Sequence, residues 1–203
     1  MKSFLFTIQF CLMAFMGVCN LNAQQMKVVF EGNETFHNVT KINVKGLFCK
    51  INLIASQQED VLIQSKIEAM QDEDAYKTIC LNDGGLLSVS VQVPGDGYAS
   101  HAGEITISLP ASIAIDIDNT SGYVELHDLK QANLNVVTTS GKITAKDSQG
   151  NIGMQSKSGN ISVNNLKGDI KTSSYSGSQF INNLEGTITL DSPDGDITAD
   201  NIN

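Results

Sequence analysis

Along most of this chain apolar and polar residues alternate with a period of two, the pattern of strands buried on one face. A clear stretch begins at Val39, with Ile42 and Val44 on one face and Lys41, Asn43 and Lys45 on the other. At Gly46 the apolar phase moves by one, to Leu47, Cys49, Ile51 and Leu53. A phase slip at a glycine reads as a bulge or a corner between two strands. Residues 26–30 and 61–66 read as further strands. So do the alternations Leu87, Val89, Val91, Val93; Ile105, Ile107, Leu109; and Ile113, Ile115, Ile117. Asp83-Gly84-Gly85, Pro94-Gly95-Asp96-Gly97 and Pro110 supply the turns. Residues 68–76 stand apart: Ala69, Met70 and Ala75 lie among Gln71, Asp72, Glu73 and Asp74, with no β-branched residue, and predict a turn or two of helix.

In the last third a longer period takes over. Glycine recurs every nine residues, at Gly141, Gly150, Gly159, Gly168, Gly177, Gly186 and Gly195. Two places after most of them stands an isoleucine (Ile143, Ile152, Ile161, Ile170, Ile188, Ile197); Gln179 breaks the column. Corners of the form Ser121-Gly122, Ser140-Gly141, Ser158-Gly159, Ser176-Gly177 and Asp194-Gly195 are spaced 19, 18, 18 and 18 residues apart, so one rung is 18 residues in two unequal halves. Superposed rungs give inward columns: Leu134, Ile152, Ile170, Ile188; Ala145, Val163, Ile181, Ala199; and Ser148, Leu166, Leu184, Ile202. Asp147, Asn165, Asn183 and Asn201, with Ser156, Ser174 and Ser192, are expected outside.

Like residues in columns at a fixed period are the signature of a solenoid. Rungs would lie ~4.8 Å apart. Each stacked isoleucine would contribute roughly 1.5–3 kcal/mol on burial. Stacked asparagines can bond to their neighbours above and below, and glycine at a corner permits backbone angles that a Cβ opposes. Parallel crossovers are nearly always right-handed, and a left-handed hexapeptide coil would show an internal period of six. The expected fold is all-β, a right-handed parallel β-helix or solenoid with 18-residue rungs, preceded by a β-rich N-terminal part. Residues 24–118 are expected to lead into the solenoid and 119–203 to form its regular repeats, all within one continuous domain.

The first 23 residues change where this object is expected to be. Lys2, a largely apolar stretch over 4–18 and Asn20-Leu21-Asn22-Ala23 read as a secretory signal cleaved after Ala23. Cys19 follows Val18, where lipid-modifying processing wants a small residue, so a lipid anchor is not expected. No other run reaches the ~20 apolar residues of a membrane helix. The expected location is the periplasm, the cell surface or outside the cell. The remaining 180 residues carry 12 lysines against 22 carboxylates, a formal charge of −10, and no arginine. A nucleic-acid partner is therefore not expected, nor is bidentate capture of phosphate. Cys49 and Cys80 remain; Cys49 shares its face with Ile51 and Leu53, whereas Cys80 lies opposite Ile79 and Leu81. Two isolated half-buried thiols are expected rather than a disulfide, which an exported compartment permits.

Little in the chain points to chemistry. A calcium-binding nonapeptide roll needs paired glycines and a recurring aspartate. Here Lys142, Asn151, Asn160, Asp169, Ser178, Thr187 and Asp196 follow single glycines. Asp191, Asp194 and Asp196 are the best place for a cation, and a solvated turn is their expected role. His37, His101 and His127 lack partners at metal-ligand spacing. The recurring serines suit a corner, not a nucleophile, which is needed once. Carboxylate pairs for glycoside hydrolysis could be drawn from Asp116, Asp118 and Glu125, or from Asp194 and Asp196, but they alternate with isoleucine as a wet strand face does. No catalytic residue and no cofactor is expected, and a polysaccharide-active β-helix enzyme is the least favoured reading.

The run ITISLP over 105–110, then Ile115-Asp116-Ile117-Asp118, then Ser121-Gly122-Tyr123-Val124-Glu125-Leu126 and the Ser-Gly-x-Ile units after it resemble the bacterial "putative adhesin" domains of secreted and envelope proteins, relatives of GIN-type auto-transporter adhesin head domains. Residues 42–53 and the run from Asp83 to Val89 are similar to the front half of those domains. The resemblance implies a right-handed β-helix-like domain at or beyond the envelope and carries no catalytic residues.

Two binding expectations follow. In the first, the outer face, rich in Ser, Thr, Asn and Lys with Tyr123 and Tyr175, contacts a glycan or protein. The break at Gln179-Phe180 beside Tyr175 is where binding is expected. In the second, the domain is an assembly module. The chain stops on a repeat at Ile202-Asn203, and an uncapped end would pair with a second copy or a basic partner.

Overall fold

The computed structural model describes residues 25–70, 74–95, 100–111, 113–130 and 132–203. The signal segment expected over 1–23, with Lys2 and Cys19, lies outside the described residues. The described chain is all strand, turn and corner, with no helix among the described residues.

Strands follow one another in the order β1 (Lys27–Phe36), β2 (Lys41–Lys45), β3 (Lys50–Ala55), β4 (Val61–Ala69), β5 (Lys77–Asp83), β6 (Leu86–Gln92), β7 (His101–Leu109) and β8 (Ala114–Asn119). Then come β9 (Val124–His127), β10 (Ala132–Thr138), β11 (Ile143–Ser156), β12 (Ile161–Lys167), β13 (Ile170–Ser174), β14 (Gln179–Glu185), β15 (Ile188–Asp191) and β16 (Ile197–Ile202). They form two arrays joined through β11, which turns a corner along its length. The first runs β1-β4-β7-β3-β9-β11-β12-β14-β16 and the second β5-β6-β2-β8-β10-β11-β13-β15. Alternate side chains of both arrays meet in one apolar core.

A strand of the second array followed by one of the first makes a rung. From β10 on, each residue pairs in parallel with the residue 18 places away: Leu134 with Ile152, Ile152 with Ile170, Ile170 with Ile188. Val163 likewise pairs with Ala145 and Ile181, and Leu166 with Ser148 and Leu184. The front of the molecule is laid down differently. β6 and β7 pair in parallel with β2 and β3 on one side, and β8 and β9 pair with the same two strands on the other. The chain's first rung therefore lies between its second and third. Beyond it the pairing is antiparallel, β7 with β4, β4 with β1 and β6 with β5, and β1 also touches β5. The sheet is thus mixed, with its antiparallel pairs in the N-terminal part expected to precede the parallel coil. A local cause is the hairpin between β5 and β6: Gly84 and Gly85 both have positive φ (56° and 90°), the two-residue loop that joins antiparallel strands.

Three further expectations change. The helix expected at 68–76 is not formed: Glu68 and Ala69 extend β4, pairing with His101 and Ala102 of β7, and Tyr76 is buried, while 71–73 lie outside the described residues. Ser156 and Ser174, expected outside, are buried, and Ser192 is half-buried. They belong to a column with Asn119 and Thr138 that pins each corner from within. Asn119 Nδ2 donates to the Gly122 carbonyl (2.8 Å), Thr138 Oγ1 to that of Gly141 (2.8 Å), and Ser192 Oγ to that of Gly195 (2.8 Å). The Gly159 and Gly177 amides donate to Ser156 Oγ (2.7 Å) and Ser174 Oγ (3.1 Å). A short polar side chain saturates these backbone groups where an apolar one would leave them unpaired. The parity of β5 is also reversed. Thr78 is buried and Cys80 packs against the core, while Leu81 is 65% exposed. Cys49 is fully buried, and both cysteines are free. Burial pushes each thiol up to about 12, with Glu34 adding to the effect at Cys80, so both stay protonated at neutral pH.

Candidate functional site

Two edges run along the coil where the arrays meet. At one, the far end of each first-array strand from β9 on carries Asp128, Asp147, Asn165, Asn183 or Asn201. All five have φ between 51° and 57°, the left-handed region that Asn and Asp tolerate best. The asparagines form a ladder: Asn165 Nδ2 donates to Asp147 Oδ1 (2.8 Å), Asn183 to Asn165 (3.0 Å) and Asn201 to Asn183 (3.0 Å). A shallow groove of about 520 Å³ lies along this edge, and the Lys167–Glu185 ion pair (2.7 Å) forms part of its wall.

The other edge is the Ser-Gly edge. A Cβ built on Gly159 would run into the carbonyl oxygen of Gly141, and one on Gly177 into that of Gly159. The glycines are thus fixed by the closeness of successive rungs, and the residues around them are pushed outward. Backbone bonds set the alignment. The Val124 amide bonds to the Lys142 carbonyl, Ile143 to Asn160, Ile161 to Ser178 and Gln179 to Asp196. One column therefore reads Tyr123, Lys142, Asn160, Ser178, Asp196. The Tyr175 amide bonds to the Ser156 carbonyl, the Ser176 amide to Lys157 and the Asp194 amide to Tyr175, so a second column reads Lys157, Tyr175, Pro193. Between them lie Ser140, Ser158 and Ser176, each hydroxyl directed at a carbonyl of the preceding rung (3.3–3.4 Å).

The residues expected to bind are divided by this geometry. Tyr123 and Tyr175 are 58% and 56% exposed and share the Ser-Gly edge, three rungs apart, about 14 Å at ~4.8 Å per rung. Phe180 is 48% exposed on the outer face of the first array, in line with Thr144, Ser162 and Thr198. Gln179 is fully buried and does not reach this surface. Its Oε1 accepts from Thr172 Oγ1, and its Nε2 donates to the Asp191 carbonyl (2.6 Å), so it bridges the arrays inside the coil. Lys142 and Lys157, which fall between the two tyrosines, escaped sequence reasoning. The 18-residue register would have placed them there had the corners been superposed as well as the inward columns.

The remaining candidates are scattered. Asp191, Asp194 and Asp196 are exposed, Asp191 accepts from Ser173 Oγ (3.2 Å), and no three His, Cys, Asp or Glu side chains gather as a metal site among the described residues. Asp116 and Asp118 face outward from the second array, where Lys41 holds Asp116 (2.6 Å), while Glu125 lies in the first array. Burial pushes the Glu125 carboxyl up, but the hydrogen bond and charge of Lys50 (3.0 Å), helped by His127, outweigh it and hold the group below the usual range. Asp116 and Asp118 are thus on the other array from Glu125, and they do not form a carboxylate pair with it. His37 meets Asp60 (2.7 Å), and His101 packs on Phe48 with ring centroids 4.0 Å apart.

The family model described as Toastrack DUF4097 matches residues 39–203. No curated protein matches the chain. Among solved structures, the chain is similar to a "putative cell adhesion protein" from Clostridium sporogenes at 13% identity, covering 84% of this chain and 99% of that one, with a TM-score of 0.44. It is also similar to a "putative adhesin" from Parabacteroides distasonis (8% identity, 87% and 96% covered, TM-score 0.40) and another from Parabacteroides merdae (10% identity, 84% and 95% covered, TM-score 0.37).

Proposed function

The chain belongs to the Toastrack DUF4097 family, and from that premise we propose that it is a non-enzymatic, adhesin-like binding domain that works outside the cytoplasm. It contacts a glycan or protein through the outer surface of a right-handed coil of 18-residue rungs. The register offsets of 18 support the rungs, and the general preference of parallel crossovers supports the hand. The signal-like segment at 1–23 supports export.

The observation that carries the binding reading is the Ser-Gly edge. Tyr123 and Tyr175 expose more than half their surface on one edge of a backbone held by hydrogen bonds between rungs, and Phe180 stands outward on the first array, five residues along the chain from Tyr175. Exposed aromatics held by a stiff backbone offer contact area at little cost in conformational entropy. The experiment is a glycan array and a cell-binding assay with the purified full-length protein, beside the variant Tyr123→Ala/Tyr175→Ala/Phe180→Ala and an unrelated exported β-solenoid. Binding above the solenoid control, reduced in the triple variant with its melting curve unchanged, is expected. Binding no better than the control would sink the reading. Binding left intact in the triple variant would move the site elsewhere.

A further inference from the structure

Lysines and carboxylates are unevenly distributed along the coil. Residues 130–171 carry Lys130, Lys142, Lys146, Lys157, Lys167 and Lys171 against Asp147 and Asp169 alone, whereas 172–203 carry five carboxylates and no lysine. A chain with a formal charge of −9 thus holds a cationic band across the rungs built from β10 to β13. Lys167 is already paired with Glu185 (2.7 Å). Lys142 and Lys157 are exposed on the Ser-Gly edge and enter no ion pair among the described residues.

Four consecutive rungs therefore present, in order, Tyr123, Lys142, Lys157 and Tyr175. We propose that this edge binds an acidic polysaccharide, its carboxylates meeting Lys142 and Lys157 while sugar faces rest on Tyr123 and Tyr175. The inference rests on the binding reading above and adds the chemistry of the ligand. The edge carries point charges without arginine, which suits single carboxylates more than planar two-point recognition. A chain of successive bases would need aromatic platforms at closer intervals than three rungs. A protein partner would need a desolvated anchor pocket at the centre of its interface, and this edge is exposed at all four residues. The acidic remainder of the molecule repels a polyanion, so the cationic band also fixes where along the coil it lands.

The test uses oligogalacturonate and its methyl ester, which share a backbone and differ in charge, titrated calorimetrically into the full-length protein. The acidic oligomer is expected to bind more tightly than the ester and to weaken as salt rises. Lys142→Gln/Lys157→Gln should lose about tenfold in affinity, from a few-fold for each exposed charge pair, with an unchanged melting curve. Lys45→Gln/Lys77→Gln, in β2 and β5 of the second array and outside the cationic band, should bind as the parent does. Equal binding of acid and ester, or equal loss in the two lysine variants, overturns the inference and leaves glycan binding standing. Binding of neither oligomer, with a protein partner captured on the same edge, overturns it in favour of a protein ligand. If neither glycan nor protein is bound, the adhesin-like reading fails with it.

Discussion

Ile161 and Ile197 occupy the same position in their rungs, on either side of Gln179 in one column, yet Ile161 is fully buried and Ile197 is 43% exposed. The contrast repeats along the rung: Leu166 is buried and Ile202 exposed, and Ile170 is buried while Ile188 is half-covered. Residue type and local conformation are alike, so the difference lies in neighbours. A middle rung is packed on both sides, whereas the β15–β16 rung is packed on one. At the opposite end the antiparallel strands β4 and β1 extend the first array, and Ile63, Ile67 and Ile105 there are as buried as the centre. Stability in such a coil is a sum of contacts between adjacent rungs, and a side chain is worth what its neighbours make of it.

The largest effect expected from that comparison is on core truncation. Ile161→Ala removes three carbons from a fully packed site and should destabilise by about 2–5 kcal/mol in urea unfolding. Ile197→Ala, at a site already open to water, should cost about 1 kcal/mol. Equal losses at the two positions would break the idea that adjacent rungs set the value of a column.

The same dependence on neighbours governs what the sequence could show. The rungs from β10 onward were legible because one period sets both the local turn and the partner: whatever follows Gly141 repeats after Gly159, so columns could be superposed directly. The front could not be read this way. β2 and β3 end up between β6–β7 and β8–β9, and no period links Ile42 with Leu87 or Ile115, its partners on either side. The corner serines were misplaced because a polar residue reads as exposed, whereas Ser156 and Ser174 are inside to satisfy glycine amides. The helix expected at 68–76 failed because tertiary pairing with β7 overrode a weak local preference. Of the expected binding residues, exposure of the tyrosines followed from their corner positions. The burial of Gln179 already followed from its inward slot, and proximity in sequence to Tyr175 was the wrong guide.

Gln179 offers a middle-sized test. It ties the body of the coil to the β15–β16 rung through the Asp191 carbonyl, and it satisfies Thr172, which sits at an apolar position in the Val136, Met154, Leu190 column. Gln179→Ala leaves Thr172 Oγ1 and that carbonyl without partners and should destabilise by about 1–3 kcal/mol. Adding Thr172→Val removes one of the stranded groups, so the double variant should be less destabilised than the sum of the two single ones in a mutant cycle. Strict additivity would show that the pair does not act as a unit.

The smallest effect separates what is local from what depends on neighbours. Asn183 and Asn201 have the same left-handed backbone, φ 55° and 54°, one in a middle rung and one in the β15–β16 rung. Alanine resists that conformation by about 1 kcal/mol and glycine does not. Both replacements remove the ladder amide, so the difference between Asn183→Ala and Asn183→Gly isolates the backbone contribution. That difference should be about 1 kcal/mol and the same for Asn201→Ala against Asn201→Gly, because backbone strain arises within one residue. The loss common to both replacements should be similar at the two positions, because the Asn183 amide bonds to Asn165 and Asn201 and the Asn201 amide to Asn182 and Asn183. Urea denaturation of the four variants checks both statements. If the Ala-minus-Gly difference were as unequal between the two positions as burial is between Ile161 and Ile197, then corner strain too would depend on the neighbouring rungs, and local geometry would have no independent share in holding the coil.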